Sequence, residues 1–403
     1  PPGDRQAAGV PPAPAPVTDL AARLDRIPVA TPTHRRWVGV LGALFVFDLV
    51  DLNSFAYAAP ALRAEWGLSI GEVGAVTSAA FVGMFAGAIV GGRLSDRYGR
   101  RPVLLGAVLF FSVCSLLSAL SWDAWSLGVL RVLTGFGLQA TTGVLLVWVS
   151  EMFPRSLRGR YQALLLAVGL AGIPIAAWLA RIVVPLGPGS WRWVFVVGAL
   201  GAVVALVAWR TVPESVRWRS AQGRSPDPRD ERLVARMEHE ARAQLGTDLP
   251  EPVPDPPKPE GRLSDLLRGA TLRRTVVAST ACVFLILSFY GFSSWVPTLL
   301  VERGYTTAES LTFASVLAIA AVPGALLVAP VVDRFDRRAV LIWLSLAAIV
   351  SCATTATLTG LSTPGIMLTA AIFGLTTFPI YSVACAHAHD FADSTERVEL
   401  SAA

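Results

Sequence analysis

Two aspartates three positions apart, Asp48 and Asp51, sit inside the apolar run VGVLGALFVFDLVDLNSFAYA, and one arginine, Arg131, sits inside another, SLGVLRVLTGFGL. At about 1.5 Å per residue, the aspartates fall about 18 Å and about 22 Å along the first run, and Arg131 falls about 10 Å from the opposite end of its own. A spacing of three puts both carboxyl groups on one helical face. Charges at that depth are costly and mark a functional site by default. A carboxyl group there gains from taking up a proton, and an arginine at similar depth holds either that carboxylate or an anionic solute. The competing reading is a static ion pair, Asp51–Arg131 or Asp48–Arg131, that only packs the helices. Gln139, Thr141 and Thr142 lie mid-run and suit either solute binding or hydrogen bonds between helices. Tyr290 lies deep enough to face a cavity. Bond-making chemistry is not expected: there is no HExxH, no nucleophile elbow and no second buried acid pair. His387 and His389 do not share a helix face, so they make no metal site. Cys114, Cys282, Cys352 and Cys385 all fall in apolar runs and read as buried free thiols. No cofactor is implied.

The elements that must position these residues follow from composition. Of 403 residues, 53% are hydrophobic and 16% are charged, against about 25% charged in soluble domains. Apolar runs of roughly 20 residues recur, each long enough to cross about 30 Å of hydrocarbon as a helix. They cover 36–58, 73–94, 102–121, 125–150, 161–184, 191–211, 275–297, 310–331, 338–359 and 364–387, which predicts an all-α membrane protein of about ten spans. Residues 1–34, rich in Pro and Ala, read as a disordered tail with a short helix near Asp19–Arg26. The polar stretch 212–274 reads as a linker with a charged helix over Asp230–Leu245, separating a six-span bundle (35–211) from a four-span one (275–403). Arginines crowd the tail, the linker and alternate loops: Arg93 to Arg101, Arg155 to Arg160, and Arg334 to Arg338. The positive-inside rule makes those faces and the N-terminus cytoplasmic, and the near-exclusive use of arginine, with Lys258 the one lysine, suggests GC-rich bacterial coding and hence a bacterial inner membrane. Arginines confined to short loops between apolar runs do not suit nucleic-acid binding.

The chain also repeats itself. GRLSDRYGRR (Gly92–Arg101) lies between spans two and three, and APVVDRFDRR (Ala329–Arg338) lies between spans eight and nine, with Asp96 and Asp333 separated by 237 positions. The same shift carries span one onto span seven and span four onto span ten, so two copies of one bundle are expected. It places copies of spans five and six beyond Ala403, and the chain is accordingly expected to lack spans eleven and twelve. Asp48, Asp51 and Arg131 shift onto Leu285, Ser288 and Leu368, so the titrating groups are confined to the first copy.

GGRLSDRYGRRP (Gly91–Pro102) resembles the signature loop of the major facilitator superfamily, the twelve-helix secondary transporters. RVLTGFG (Arg131–Gly137), EMFPRSLRGR (Glu151–Arg160), WRWVF (Trp191–Phe195) and VPESVRW (Val212–Trp218) agree with that family, the last with its sugar-porter-like members. RLDRIP near Arg23–Pro28 and the Asp48-Leu-Val-Asp51 stretch resemble the symporters that move aromatic and other organic acids with protons. The resemblance implies a fold of two pseudo-symmetric six-helix bundles and alternating access. It implies a cytoplasmic charge network of Asp96, Arg97, Arg100, Glu151 and Arg158, with a weaker copy at Asp333 and Arg337. Gly91 and Gly92 are expected to let span two approach its neighbour. Together these readings predict a monomeric transporter of a small organic solute, a carboxylate, coupled to protons through Asp48 or Asp51. Efflux of drug-like amphiphiles, sugar transport and a non-transporting truncated product remain the alternatives.

Overall fold

The computed structural model describes residues 20–222, 227–253, 290–334 and 337–357, with isolated positions between 272 and 287 and at 372. Every regular element among them is helical. Six segments are long and apolar enough to cross a membrane: Pro32–Trp66, Ile70–Tyr98, Arg100–Ser118, Ala124–Met152, Arg155–Leu186 and Arg192–Thr211. Each contains or overlaps one of the six apolar runs expected before residue 212.

The ends of these helices are written locally. A short helix α1 (Leu20–Asp25) precedes α2 (Pro32–Trp66), which opens with Thr31 as N-cap and Pro32 in its first turn. It closes on Gly67 at φ 67°, a left-handed stop that suits glycine. Ser69, boxed with Glu72, caps α3 (Ile70–Tyr98). Gly99, at φ 111°, turns α3 directly into α4 (Arg100–Ser118). Asp123 accepts from the Ser126 N–H at 2.7 Å and caps α5 (Ala124–Met152). The fifth span is broken into α6 (Arg155–Leu170) and α7 (Gly172–Val183). Pro174 has no N–H to offer the Leu170 carbonyl, which accounts for the break. The sixth span divides likewise, between Gly198 and Gly201, into α8 (Arg192–Gly198) and α9 (Gly201–Thr211).

α10 (Val216–Ala221) and α11 (Pro228–Leu245) lie in the linker and touch α1, so tail and linker share one face of the bundle, here the tail face. Residues 20–34 are not a free tail. Leu20, Leu24 and Ile27 are buried in the core cluster, because the apolar side of α1 fills the notch between α10 and α11. Residues 1–19 lie outside the described residues. After them come α12 (Val296–Glu302), at the opposite or far face, then α13 (Thr307–Arg334) and α14 (Arg337–Thr357). The expected span 364–387 lies outside the described residues.

The tightest packing is α3 on α5. A methyl group at Gly83 or Gly87 would overlap the Val132 or Phe136 carbonyl, one at Gly135 would overlap that of Ala80, and one at Gly91 would come within 2.7 Å of Ala140 Cβ. Small residues every fourth position let two helices meet backbone to backbone. Gly92 does not belong to that stripe: nothing lies within 4 Å of a methyl there. Exposed Trp122, Trp125 and Trp193 ring the far face, and exposed Tyr98 and Trp209 ring the tail face, as aromatic side chains do at the two surfaces of a bilayer.

Candidate functional site

Asp48, Asp51 and Arg131 are all buried, at 3%, 0% and 1% exposure. α2 and α5 bring Asp51 and Arg131 together: Arg131 Nη1 lies 3.4 Å from Asp51 Oδ2, and Nη2 donates to the Leu52 carbonyl at 3.2 Å. The other carboxylate oxygen, Oδ1, accepts from the Ser115 hydroxyl of α4, and Ser115 Oγ also lies 3.0 Å from the Phe195 carbonyl of α8. A methyl at Gly198 would stand 2.6 Å from Asp51 Oδ1, so glycine there leaves room for the carboxylate. The Phe195 ring lies 6.0 Å from the guanidinium carbon. Four spans therefore meet on Asp51, and both of its oxygens are engaged.

Asp48 is placed differently. The Thr142 hydroxyl donates to its Oδ2 at 3.0 Å, while Oδ1 is buried with no hydrogen-bond partner among the described residues. Arg131 Nε is likewise unpartnered among them. Between α2, α3, Arg131 and Tyr290 lies a cavity of about 20 Å³, lined by Leu52, Asn53, Phe81 and Ser294 among others, room for about one water molecule. Tyr290 closes it from the second half of the chain, edge-on to Phe81 at 5.2 Å. Arg131, with its unused guanidinium N–H, thus lines a small chamber between the two halves, and the unused oxygen of Asp48 lies on α2 one helical turn before Asp51, the partner of that arginine.

At the tail face, Arg100 is the hub. It donates to Asp96 Oδ1 at 2.5 Å, to Glu151 Oε1 at 2.8 Å and to Ser95 Oγ at 3.2 Å. Glu214 takes the place of a side-chain cap on α4, accepting from the Arg100 and Arg101 N–H groups at 2.9 Å and 3.1 Å. Trp218 donates to the Asp96 carbonyl at 2.8 Å. A second hub is Asp25, which meets Arg217 at 2.6 Å, Arg158 at 3.4 Å and the Arg155 N–H at 2.9 Å. A third is Glu238 of α11, bidentate to Arg23 and bonded again to Arg26 at 2.8 Å. Burial works to raise the Glu238 carboxyl pKa, but the hydrogen bonds from Arg23 and Arg26 outweigh it and hold the group below its usual range.

Two sets of sequence-predicted residues come together, and the others lie apart from them. Arg131 and Tyr290 line the chamber, Asp51 pairs with Arg131, Asp48 lies one turn away on α2 and accepts from Thr142, and Asp96, Arg100 and Glu151 gather at the tail face. Glu151 and Arg158 do not pair: Glu151 goes to Arg100, and Arg158 goes to Asp25 and the Phe153 carbonyl. Arg97 lies over the Tyr98 ring at 5.4 Å, outside the Arg100 cluster. Gln139 is half-buried and makes no hydrogen bond to a described residue. Asp333 falls in the last turn of α13 and Arg337 opens α14, but their side chains lie outside the described residues. Ser115, Gly198, Glu214, Asp25 and Glu238 were not singled out. Asp25 and Glu214 lay within recognisable stretches, RLDRIP and VPES, whereas one serine in the apolar run of α4 carries no sequence signal.

Comparison with known proteins extends this geometry. A family model described as Major Facilitator Superfamily matches residues 40–403. The chain is 37% identical over 332 residues to a putative metabolite transport protein of Bacillus subtilis, covering 81% of this chain and 72% of that one. It is 30% identical over 324 residues to the niacin transporter of Acinetobacter baylyi, covering 80% and 72%. In structure it is similar to the inward-open xylose transporter of E. coli, with a TM-score of 0.66 at 17% identity, covering 91% of this chain and 85% of that one.

Proposed function

Because the chain belongs to the major facilitator superfamily, we propose that this membrane transporter carries a small aromatic carboxylate together with a proton, by alternating access. The observation that carries the reading is the unequal treatment of two neighbouring carboxyl groups. Asp51 is held on both oxygens by Arg131 and Ser115, while Asp48, one helical turn away, keeps Oδ1 unused. Asp48 is the proton carrier: a neutral carboxyl needs no donor on Oδ1, whereas a buried bare carboxylate oxygen lacks the partners that stabilise charge. Asp51 is the fixed counter-charge that orients Arg131. The guanidinium keeps Nε free for a solute carboxylate, and the aromatic rings of Phe81 and Tyr290 offer edges and faces to an aromatic solute. The 30% identity to a niacin transporter supports an aromatic acid of this kind.

The tail face is the cytoplasmic side, because the arginine-rich loops and linker lie there. Solute and proton enter from the far face. The Arg100 cluster then loosens, and both leave to the cytoplasm as Asp48 gives up its proton. Two pseudo-symmetric bundles, at 35–211 and 275–403 with a linker at 212–274 and about ten spans, complete the reading. The 237-residue shift supports them, since it carries the α3–α4 junction at Gly99 onto position 336, between α13 and α14. The test is uptake by proteoliposomes under an imposed pH gradient, screened over nicotinate, other organic acids, sugars and drug-like amphiphiles. Saturable, gradient-driven uptake confined to organic acids is expected. Gradient-driven uptake of a sugar, or extrusion of amphiphiles, would replace this reading.

A further inference from the structure

A second cavity, of about 320 Å³, lies at the far face between the end of α2 and α12, lined by Pro60, Arg63, Leu68, Thr298 and Val301 among others. Its volume falls at the lower end of the range of small-molecule sites. One wall carries a cation: Arg63 Nε donates to the Leu68 carbonyl at 3.0 Å, and its Nη1 pairs with Glu302 of α12. That pair crosses from the first half of the chain to the second. The other wall carries Thr298, 2% exposed, whose hydroxyl has no hydrogen-bond partner among the described residues. A buried hydroxyl without a partner is uncommon and costs stability. Pro60, Leu68 and Val301 supply an apolar bed between the two polar walls.

We infer that this cleft is an entry site for a small aromatic monocarboxylate, and that its occupation releases the far face. The incoming carboxylate takes the Arg63 guanidinium from Glu302 and accepts a hydrogen bond from Thr298, while its ring lies on the apolar bed. Exchange of one carboxylate for another on Arg63 leaves the charge at the arginine balanced. It breaks the tie between α2 and α12, and a neutral isostere could not make that exchange. The chemical class of the ligand rests on the transport reading above; the site itself rests on the cleft. It is separate from the Arg131 chamber, since Arg63 lies twelve residues and more than three helical turns beyond Asp51 along α2.

The test places a fluorine label on Val301→Cys, in a chain whose four native cysteines are replaced by alanine, and titrates it with sodium nicotinate or with nicotinamide at constant ionic strength. A saturable shift with nicotinate and none with nicotinamide is expected. Thr298→Val, nearly isosteric, should weaken nicotinate about tenfold, the loss of one hydrogen bond to a charged group. Glu302→Gln, which removes the competing charge, should tighten it severalfold, and Arg63→Gln should abolish it. Equal shifts with nicotinamide, or affinities unmoved by Thr298→Val and Glu302→Gln, would overturn the inference even if Arg63→Gln fails to fold. Gradient-driven uptake is scored separately. A cleft that binds nicotinate in a protein that does not transport it would sink the transport reading and leave the site. Transport without cleft binding would do the reverse.

Discussion

At the residue scale, the two aspartates of α2 should fail in different ways. Asp48→Asn is expected to abolish accumulation driven by a pH gradient while leaving exchange of labelled solute for unlabelled, because alternating access does not require a titrating group. Arg131→Leu should remove solute affinity first. It leaves Asp51 without its counter-ion, and loss of one partner of a buried pair costs about 3–5 kcal/mol unless the survivor is neutralised. Asp51 then keeps a proton, so binding by equilibrium dialysis should fall before the yield of monodisperse protein does. Solute binding unchanged in the arginine variant would mean the pair only packs the helices. The sequence marked these three residues because charge inside an apolar run is visible without a structure. It did not divide their roles. That division depends on Ser115 and Thr142, which α4 and α5 deliver from 64 and 94 residues away; Thr142 is a visible mid-run candidate but nothing in the sequence assigns it to Asp48, and Ser115 is one hydroxyl among many in apolar runs.

At the element scale, the α3–α5 contact depends on glycines whose neighbours are backbone atoms. Gly87→Leu is expected to prevent folding, since overpacking costs about 1–3 kcal/mol even where side chains can yield, and the Phe136 carbonyl cannot. Gly92→Leu, with open space around it, should change stability by less than about 0.5 kcal/mol. Size-exclusion profiles and melting temperatures in detergent separate the two. The signature loop implied that both Gly91 and Gly92 mattered for packing. Only the four-residue spacing Gly83, Gly87, Gly91 predicts which glycines face α5, and that periodicity is legible in the sequence. The Arg100 cluster carries a similar refinement. Asp96 is 71% exposed at its side chain and Glu151 only 18%, so water screens the first pair more than the second. Glu151→Gln should therefore raise cysteine accessibility of the chamber from the tail face more than Asp96→Asn does. Equal effects, or none, would reduce the loop to a signal for topology.

At the scale of the whole molecule, α1 ties the linker to the transmembrane bundle through Asp25 and Glu238. The Glu238 carboxyl has its pKa lowered in the folded protein, so the tie is at full strength above the ordinary glutamate range, about 4.3, and is lost as pH falls through the folded value. Hydrogen exchange at residues 20–27 should accelerate on acidification through that window, and Glu238→Gln should exchange fast at neutral pH as well. The composition of the tail concealed this docking, because Pro and Ala dominate residues 1–19 while the charges that dock lie just beyond. The number and placement of the first six spans were legible from hydropathy alone. The break at Ala171 is also legible, since Pro174 dictates it locally, whereas the break at Ala199 and the close approach of α12 to α2 depend on tertiary contacts. The proposed coupling of proton and solute through Asp48 is read by one measurement: internal pH, reported by a trapped dye, when nicotinate is added to proteoliposomes of the wild-type chain and of Asp48→Asn. Saturable internal acidification is expected in the wild type, none above the protein-free background in Asp48→Asn, and continued exchange of labelled nicotinate in both. Equal acidification in the two, or nicotinate entry into wild-type vesicles without proton movement, would contradict it.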